Sequence, residues 1–220
     1  MKVSIYRKNK VNFPEGKFVE YEVPFEQGMT ILDILVYVQK TLDATLAFRY
    51  ECRQGICGTC GVMLNGKPVL SCQTQIESNI ENIIEPLANF PVERDLIVDL
   101  KSVLEKFAGI KPYLEKTDRP IKTKQEADAS KPFRKCIECG CCIAGRKLRT
   151  KNQEPRTLLD PMDLVKLARY VTDPRDAIDR IKIARENGVE YYTVEEGREL
   201  TRLCPRNIPI DEAIKILKEN

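Results

Sequence analysis

Nine cysteines and no histidine constrain this chain more than any other feature of its sequence, because the cysteines fall into two spaced groups. The first runs Cys52, four residues, Cys57, two residues, Cys60, then eleven residues to Cys72. The second places Cys136, Cys139 and Cys142 two residues apart in CIECGCC and adds a remote Cys204, directly before Pro205. Disulfides are a poor account of this set. The start, MKVSIYRKNK, lacks the apolar core of a secretion signal. A reducing compartment favours thiols and metal thiolates, and an odd count leaves a cysteine over. Without histidine the chain has no imidazole general base, zinc nitrogen ligand or proton shuttle. Its chemistry is therefore expected to be that of cysteine and metal, or to take place on another chain.

The first group has the spacing of a plant-type 2Fe-2S site, with Cys52, Cys57 and Cys60 on one loop and Cys72 on a distant strand. Four thiolates are needed because each iron keeps two terminal ligands besides the bridging sulfides. Gly55, Gly58 and Gly61 lie among the ligands, where glycine lets a loop wrap a cluster and aim its amides at sulfur. A structural zinc site or buried free thiols are the competing readings, although zinc knuckles usually come as two short pairs. The second group, Cys136, Cys139, Cys142 and Cys204, has the three-plus-one pattern of a 4Fe-4S cubane, with one thiolate per iron. Cys141 is left over and reads as a spare buried thiol.

Around these groups the pattern of the chain changes near residue 104, which suggests two domains, 1–104 and 105–220. Val3 to Arg7 and Phe18 to Val23 alternate as half-buried strands, with Pro14, Glu15 and Gly16 as the turn between them. Thr30 is an N-cap for a helix through TILDILVYVQKTL, and Asn65-Gly66 predicts a tight hairpin that delivers the chain to Cys72. Further on, the charged stretch IKPYLEKTDRPIKTKQEADASKPFRK reads as a surface connection. Helices are expected from Asp160-Pro161, Asp173-Pro174 (ending at Gly188) and Pro209. Thirty-six Lys and Arg nearly cancel 33 Asp and Glu, leaving no broad basic surface for nucleic acid. No apolar run reaches the roughly 20 residues of a membrane span. A cytoplasmic location follows as the expectation, with any membrane contact made through partners.

Taken together, FRYECRQGICGTCGVMLNGKPVLSC, PLANFPVERDLIVDL, CIECGCC, LLDPMDLVKLARYVTDPRD and CPRNIPIDEAI resemble the iron-sulfur subunit of succinate dehydrogenase and fumarate reductase, over almost the whole chain. The resemblance implies an α+β fold: a β-grasp 2Fe-2S ferredoxin domain followed by an all-α helical ferredoxin domain. It also implies a flavoprotein partner that carries FAD and the dicarboxylate site. Family members usually hold a third, 3Fe-4S, cluster. Its ligand places fall here on Arg146, Val194 and Leu200, the usual proline on Lys147, and the Trp and His usual near quinone are absent from this chain.

The expected function is a relay of single electrons between a flavoprotein and another partner through a 2Fe-2S and a 4Fe-4S cluster, with no 3Fe-4S cluster and no substrate site on this chain. The second partner would differ from the usual quinone-binding membrane anchor. A flavoprotein with another substrate, or a zinc-stabilised scaffold, are the alternatives. Arg53 and the run Arg146, Lys147, Arg149 and Lys151 read first as solvated charge, though the run would also suit an acidic acceptor.

Overall fold

The alternation at the N-terminus builds two antiparallel strands, β1 (Lys2–Asn9) and β2 (Phe13–Glu22). The structure is a computed structural model and describes residues 1–115, 118, 123–147 and 158–219. In chain order there follow α1 (Ile31–Tyr37), β3 (Gly61–Leu64), β4 (Lys67–Leu70), β5 (Asn82–Glu85), β6 (Val92–Arg94) and β7 (Ile97–Val98). The helices after them are α2 (Lys101–Gly109), α3 (Lys124–Arg134), α4 (Cys141–Gly145), α5 (Pro161–Val171), α6 (Arg180–Glu186), α7 (Val194–Leu203) and α8 (Ile210–Glu219). The described residues divide into two units: Met1–Asp99 with Ile137–Gly145, and Leu100–Cys136 with the residues from Arg146 on.

In the first unit a five-stranded sheet has the order β2-β1-β5-β3-β4, with β1 and β5 parallel. α1 lies on it, and Ile31, Ile34, Leu35 and Val38 bury against Val3, Ile5, Val62 and Ile84, which is the β-grasp arrangement. Thr30 starts α1 as expected: its hydroxyl accepts the Asp33 N–H while the Asp33 carboxylate accepts the Thr30 N–H at 2.9 Å. Asn65 and Gly66 both take positive φ, 48° and 75°, in the β3–β4 turn. The first hairpin differs from expectation. Its turn is Lys10–Asn12, closed by the N–H groups of Val11 and Asn12 donating to Asn9 Oδ1 at 3.1 and 2.7 Å. Pro14 and Gly16 lie inside β2, which tolerates proline because it is an edge strand and the missing N–H breaks no ladder there.

A buried ion network sits beneath this sheet. Arg7 is fully buried on β1 and pairs with Asp43 and with Asp95, whose Oδ1 is 3.1 Å from Nε. Asp95 also accepts the N–H groups of Lys8 at 2.8 Å and Ala47 at 2.9 Å, so one carboxylate ties together β1, the 43–47 loop and the β6–β7 turn.

The described part of the second unit is helical. α5 starts at Pro161 behind an Asp160–Asp163 capping box, and α8 starts one residue after Pro209, both as the sequence predicts. Two expectations fail. Asp173-Pro174 opens no helix, because the Asp173 carboxylate is held by Arg175 at 2.9 and 2.8 Å in a turn, and α6 begins only after Asp179 accepts the Lys182 N–H at 2.8 Å. The stretch expected as a surface connection contains α3, started by a capping box between Thr123 and Glu126. Within this unit the buried Arg180 donates to the carbonyls of Ile110, Lys111 and Tyr113 at 2.6–2.7 Å and stacks on Tyr170.

Candidate metal centres

The first cysteine loop runs from α1 to β3, and its backbone is organised around Cys52. The N–H groups of Gln54, Ile56 and Cys57 all point at Cys52 Sγ, at 3.4, 3.4 and 3.3 Å. These donors stabilise a thiolate and draw the Cys52 thiol down to about 6. Positive φ at Gly55 and Gly58, 66° and 73°, lets the loop turn tightly enough to present them. Gly61, by contrast, belongs to β3, and its lack of a side chain serves close packing: a Cβ there would stand 3.0 Å from the Cys139 carbonyl oxygen.

Cys60 and Cys72 form the other half of the group. Both are buried, and their sulfurs lie 3.3 Å apart. Register brings them together: β4 ends at Leu70, the Ser71 N–H donates to the Cys60 carbonyl at 3.0 Å, and the Leu32 N–H of α1 donates to the Ser71 carbonyl at 3.0 Å. Burial, with the neighbouring Cys72, pushes the Cys60 thiol up to about 11. Among the described residues no three Cys, Asp or Glu side chains form a group that could hold one metal ion. The arrangement is instead two pairs, Cys52 with Cys57 and Cys60 with Cys72, which suits two irons with two terminal thiolates each.

The second group is divided between the units. Cys139 and Cys142 belong to the first, Cys136 and Cys204 to the second. Cys136 follows α3, with its N–H on the Phe133 carbonyl at 3.3 Å. Cys204 ends α7, its N–H on the Thr201 carbonyl at 3.2 Å. Thr201 pins that end of α7 to α8, donating to Asp211 at 2.9 Å and accepting the Ile210 N–H at 2.9 Å. Cys141 is fully buried and packs with Leu32, Cys60, Leu70 and Cys72, with Cys139 against the same cluster. A hydrogen bond from Cys141 draws the Cys139 thiol down to about 7.

Thiols of both sequence groups therefore meet in one buried cluster of the first unit. The approach is close enough that a Cβ on Gly58 would stand 2.4 Å from the Ile137 carbonyl oxygen. Spacing alone carries no signal for this meeting. Arg53 takes positive φ, 58°, and stacks on Tyr50 with its guanidinium carbon 5.1 Å from the ring centroid. Of the three positions matching the third cluster's ligand places, Arg146 is buried and paired with Glu196, Val194 opens α7, and Leu200 is buried. Arg149 and Lys151 lie outside the described residues.

Residues 2–105 match the model of a 2Fe-2S iron-sulfur cluster binding domain. This match marks the N-terminal part of the chain as a 2Fe-2S iron-sulfur cluster binding domain. It is 35% identical to the fumarate reductase iron-sulfur subunit of Mycobacterium tuberculosis over 99% of this chain and 90% of that one. Identity to the fumarate reductase iron-sulfur subunit of Haemophilus influenzae is 32%, over 97% and 90% of the two chains. The chain superposes on a solved structure, the Mycobacterium smegmatis Sdh1 complex in the apo form, with a TM-score of 0.85 and 27% identity, over 100% of this chain and 97% of that one. The chain belongs to the family of succinate dehydrogenase and fumarate reductase iron-sulfur subunits. It is also 36% identical over 92% of its length to an uncharacterized iron-sulfur protein of Methanococcus maripaludis, of which it spans 41%. Among the described residues no helix is long and apolar enough to cross a membrane.

Proposed function

We propose that this chain relays single electrons between an FAD-containing dicarboxylate oxidoreductase subunit and a second partner, as the electron-transfer subunit of a fumarate reductase or succinate dehydrogenase-like complex. Cys52, Cys57, Cys60 and Cys72 hold a 2Fe-2S cluster in a domain spanning 1–104. Cys136, Cys139, Cys142 and Cys204 hold a 4Fe-4S cluster in a domain spanning 105–220. When bound, such clusters supply one-electron redox chemistry, whereas the flavin on the partner handles the two-electron step on the dicarboxylate. The observation that carries the reading is the buried cluster in which Cys60 and Cys72 lie with Cys139 and Cys141, since a relay needs its two centres close together.

The residues divide the work. Backbone N–H groups stabilise negative charge on Cys52 sulfur, and burial of Cys60 and Cys72 keeps water from their end of the first site. Arg146, Val194 and Leu200 leave no thiolate for a third cluster, so two clusters are the reading. Without that cluster, and without the Trp and His usual near quinone, the second partner is one other than the usual quinone-binding membrane anchor. The protein works in the cytoplasm, at a membrane only through its partners.

Anaerobic purification of the native complex tests the proposal. Six iron and six acid-labile sulfide per chain are expected from one 2Fe-2S and one 4Fe-4S cluster, together with a copurifying flavoprotein that reduces both clusters from succinate or is oxidised by fumarate. Zinc in place of iron, or a native 3Fe-4S signal in low-temperature EPR, would count against it.

A further inference from the structure

Gln73 directly follows the last ligand of the first cysteine group, and the relay reading gives it no task. Its backbone is set by the turn after β4, where the Gln73 N–H donates to the Leu70 carbonyl at 3.0 Å. From there the side chain folds back over the cysteine loop. Nε2 donates to the Cys72 carbonyl at 2.8 Å and to the Arg53 carbonyl at 3.4 Å, and it lies 3.6 Å from Cys72 Sγ, where the larger radius of sulfur still admits an N–H···S bond. Both oxygen partners are carbonyls, which only accept, so the NH2 end of the amide faces them and the sulfur. Two hydrogens serve three acceptors, and the bond to sulfur is therefore a shared one. Gly55 makes room for the stem: a Cβ there would stand 2.9 Å from Gln73 Cγ. Gln73, Cys72, Arg53 and Gly55 all belong to the first unit.

We propose that Gln73 is a positioning residue that raises the reduction potential of the 2Fe-2S cluster by donating to Cys72 sulfur, an inference that rests on the relay reading. Reduction adds one electron to the cluster, and the added negative charge spreads onto the thiolate sulfurs. A donor aimed at one of those sulfurs is bound more strongly in the reduced form, which moves the equilibrium towards reduction. The two ends of the site differ in how this is achieved. Cys52 sulfur takes three N–H groups from the backbone, which a change of side chain leaves in place, whereas Cys72 sulfur takes an amide from a side chain. Gln73 is exposed and its bond to sulfur is shared, so the gain is small, roughly two- to fivefold in the one-electron equilibrium constant, or about 20–40 mV at about 59 mV per tenfold.

The test is an EPR-monitored redox titration of the purified full-length chain with its clusters in place. Gln73→Met keeps the length of the side chain and its seat against Gly55 but removes the donor, and should lower the 2Fe-2S potential by roughly two- to fivefold in the equilibrium constant. Gln73→Glu puts a carboxylate where the donor was and should lower the potential further. A purely structural role, holding the Arg53 carbonyl beside Cys72, would reduce the fraction of chains that keep the cluster and leave the potential of the remainder unmoved. That result, or a rise in Gln73→Met, overturns the proposal. Should Gln73→Met hold no cluster, Gln73→Glu decides, because a potential at or above wild type contradicts a donor at this place. An unmoved potential in an intact 2Fe-2S cluster sinks this inference alone. A wild-type chain without a 2Fe-2S signal sinks it together with the relay reading.

Discussion

Gly58→Ala should destabilise this protein far more than Gly66→Ala, although the two glycines have nearly the same backbone conformation. Their φ angles are 73° and 75°. A side chain at either position costs about 1–2 kcal/mol for the left-handed backbone. At Gly66 a Cβ meets nothing within 4 Å, so that cost stands alone. At Gly58 it would stand 2.4 Å from the Ile137 carbonyl oxygen and 3.1 Å from both Cα and Cβ of Cys139. Those neighbours are backbone and a short side chain, so one loop must move, at a further cost of about 1–3 kcal/mol. For a chain of this size 1 kcal/mol moves the apparent Tm by about 2–4 °C. Gly66→Ala should therefore lower it by about 2–8 °C, and Gly58→Ala by about 2–12 °C more. Circular dichroism melts of cluster-loaded protein under anaerobic conditions make the comparison. Equal drops for the two variants would show that the cysteine loops do not approach each other as described.

Three further outcomes follow from buried groups. Burial, with the nearby Asp160 carboxylate, pushes the Asp163 carboxyl of α5 up to about 7, although the Asp160 N–H bond works against it. The folded state thus binds more protons than the unfolded state between about pH 4 and 7, and stability falls as pH rises through that window. Asp163→Asn should remove the slope, so that the wild type loses up to about 4 kcal/mol relative to the variant between pH 4 and 8; a stability difference independent of pH in denaturant titrations would refute this. Asp95→Ala leaves the Arg7 charge buried and short of a partner, and should cost about 3–5 kcal/mol in the same titrations. Cys141→Ala should keep the full iron and sulfide content while costing about 1–2 kcal/mol, and loss of iron would give this thiol a ligand role.

Where a signal acts within a few residues, the sequence carried it. The capping residues Thr30 and Asp160 and the Asn65-Gly66 turn appear where expected, because each is satisfied by its own neighbours. The Thr123–Glu126 box carried the same signal inside a stretch whose charge suggested a connection, so the local cap outweighed the composition. Asp173-Pro174 and Pro14 misled for the opposite reason. Arg175 captured the Asp173 carboxylate before a helix could start, and the edge position of β2 removed the cost of a proline. The short strands β6 and β7 have too few residues to show a period.

By itself the sequence determined the donor chemistry: eight spaced cysteines, no histidine, and no thiol at Arg146, Val194 or Leu200. Those are matters of residue identity and count, which no folding can change. Only the tertiary structure decided which thiols share a neighbourhood. Cys60 stands beside Cys72 because β4 returns the chain along β3, and Ile137–Gly145 packs in the first unit rather than with the helices on either side of it. It also decided that Arg146 pairs with Glu196, fifty residues away. Contacts of that separation come from the packing of whole elements, and they leave no periodicity in the chain to be read.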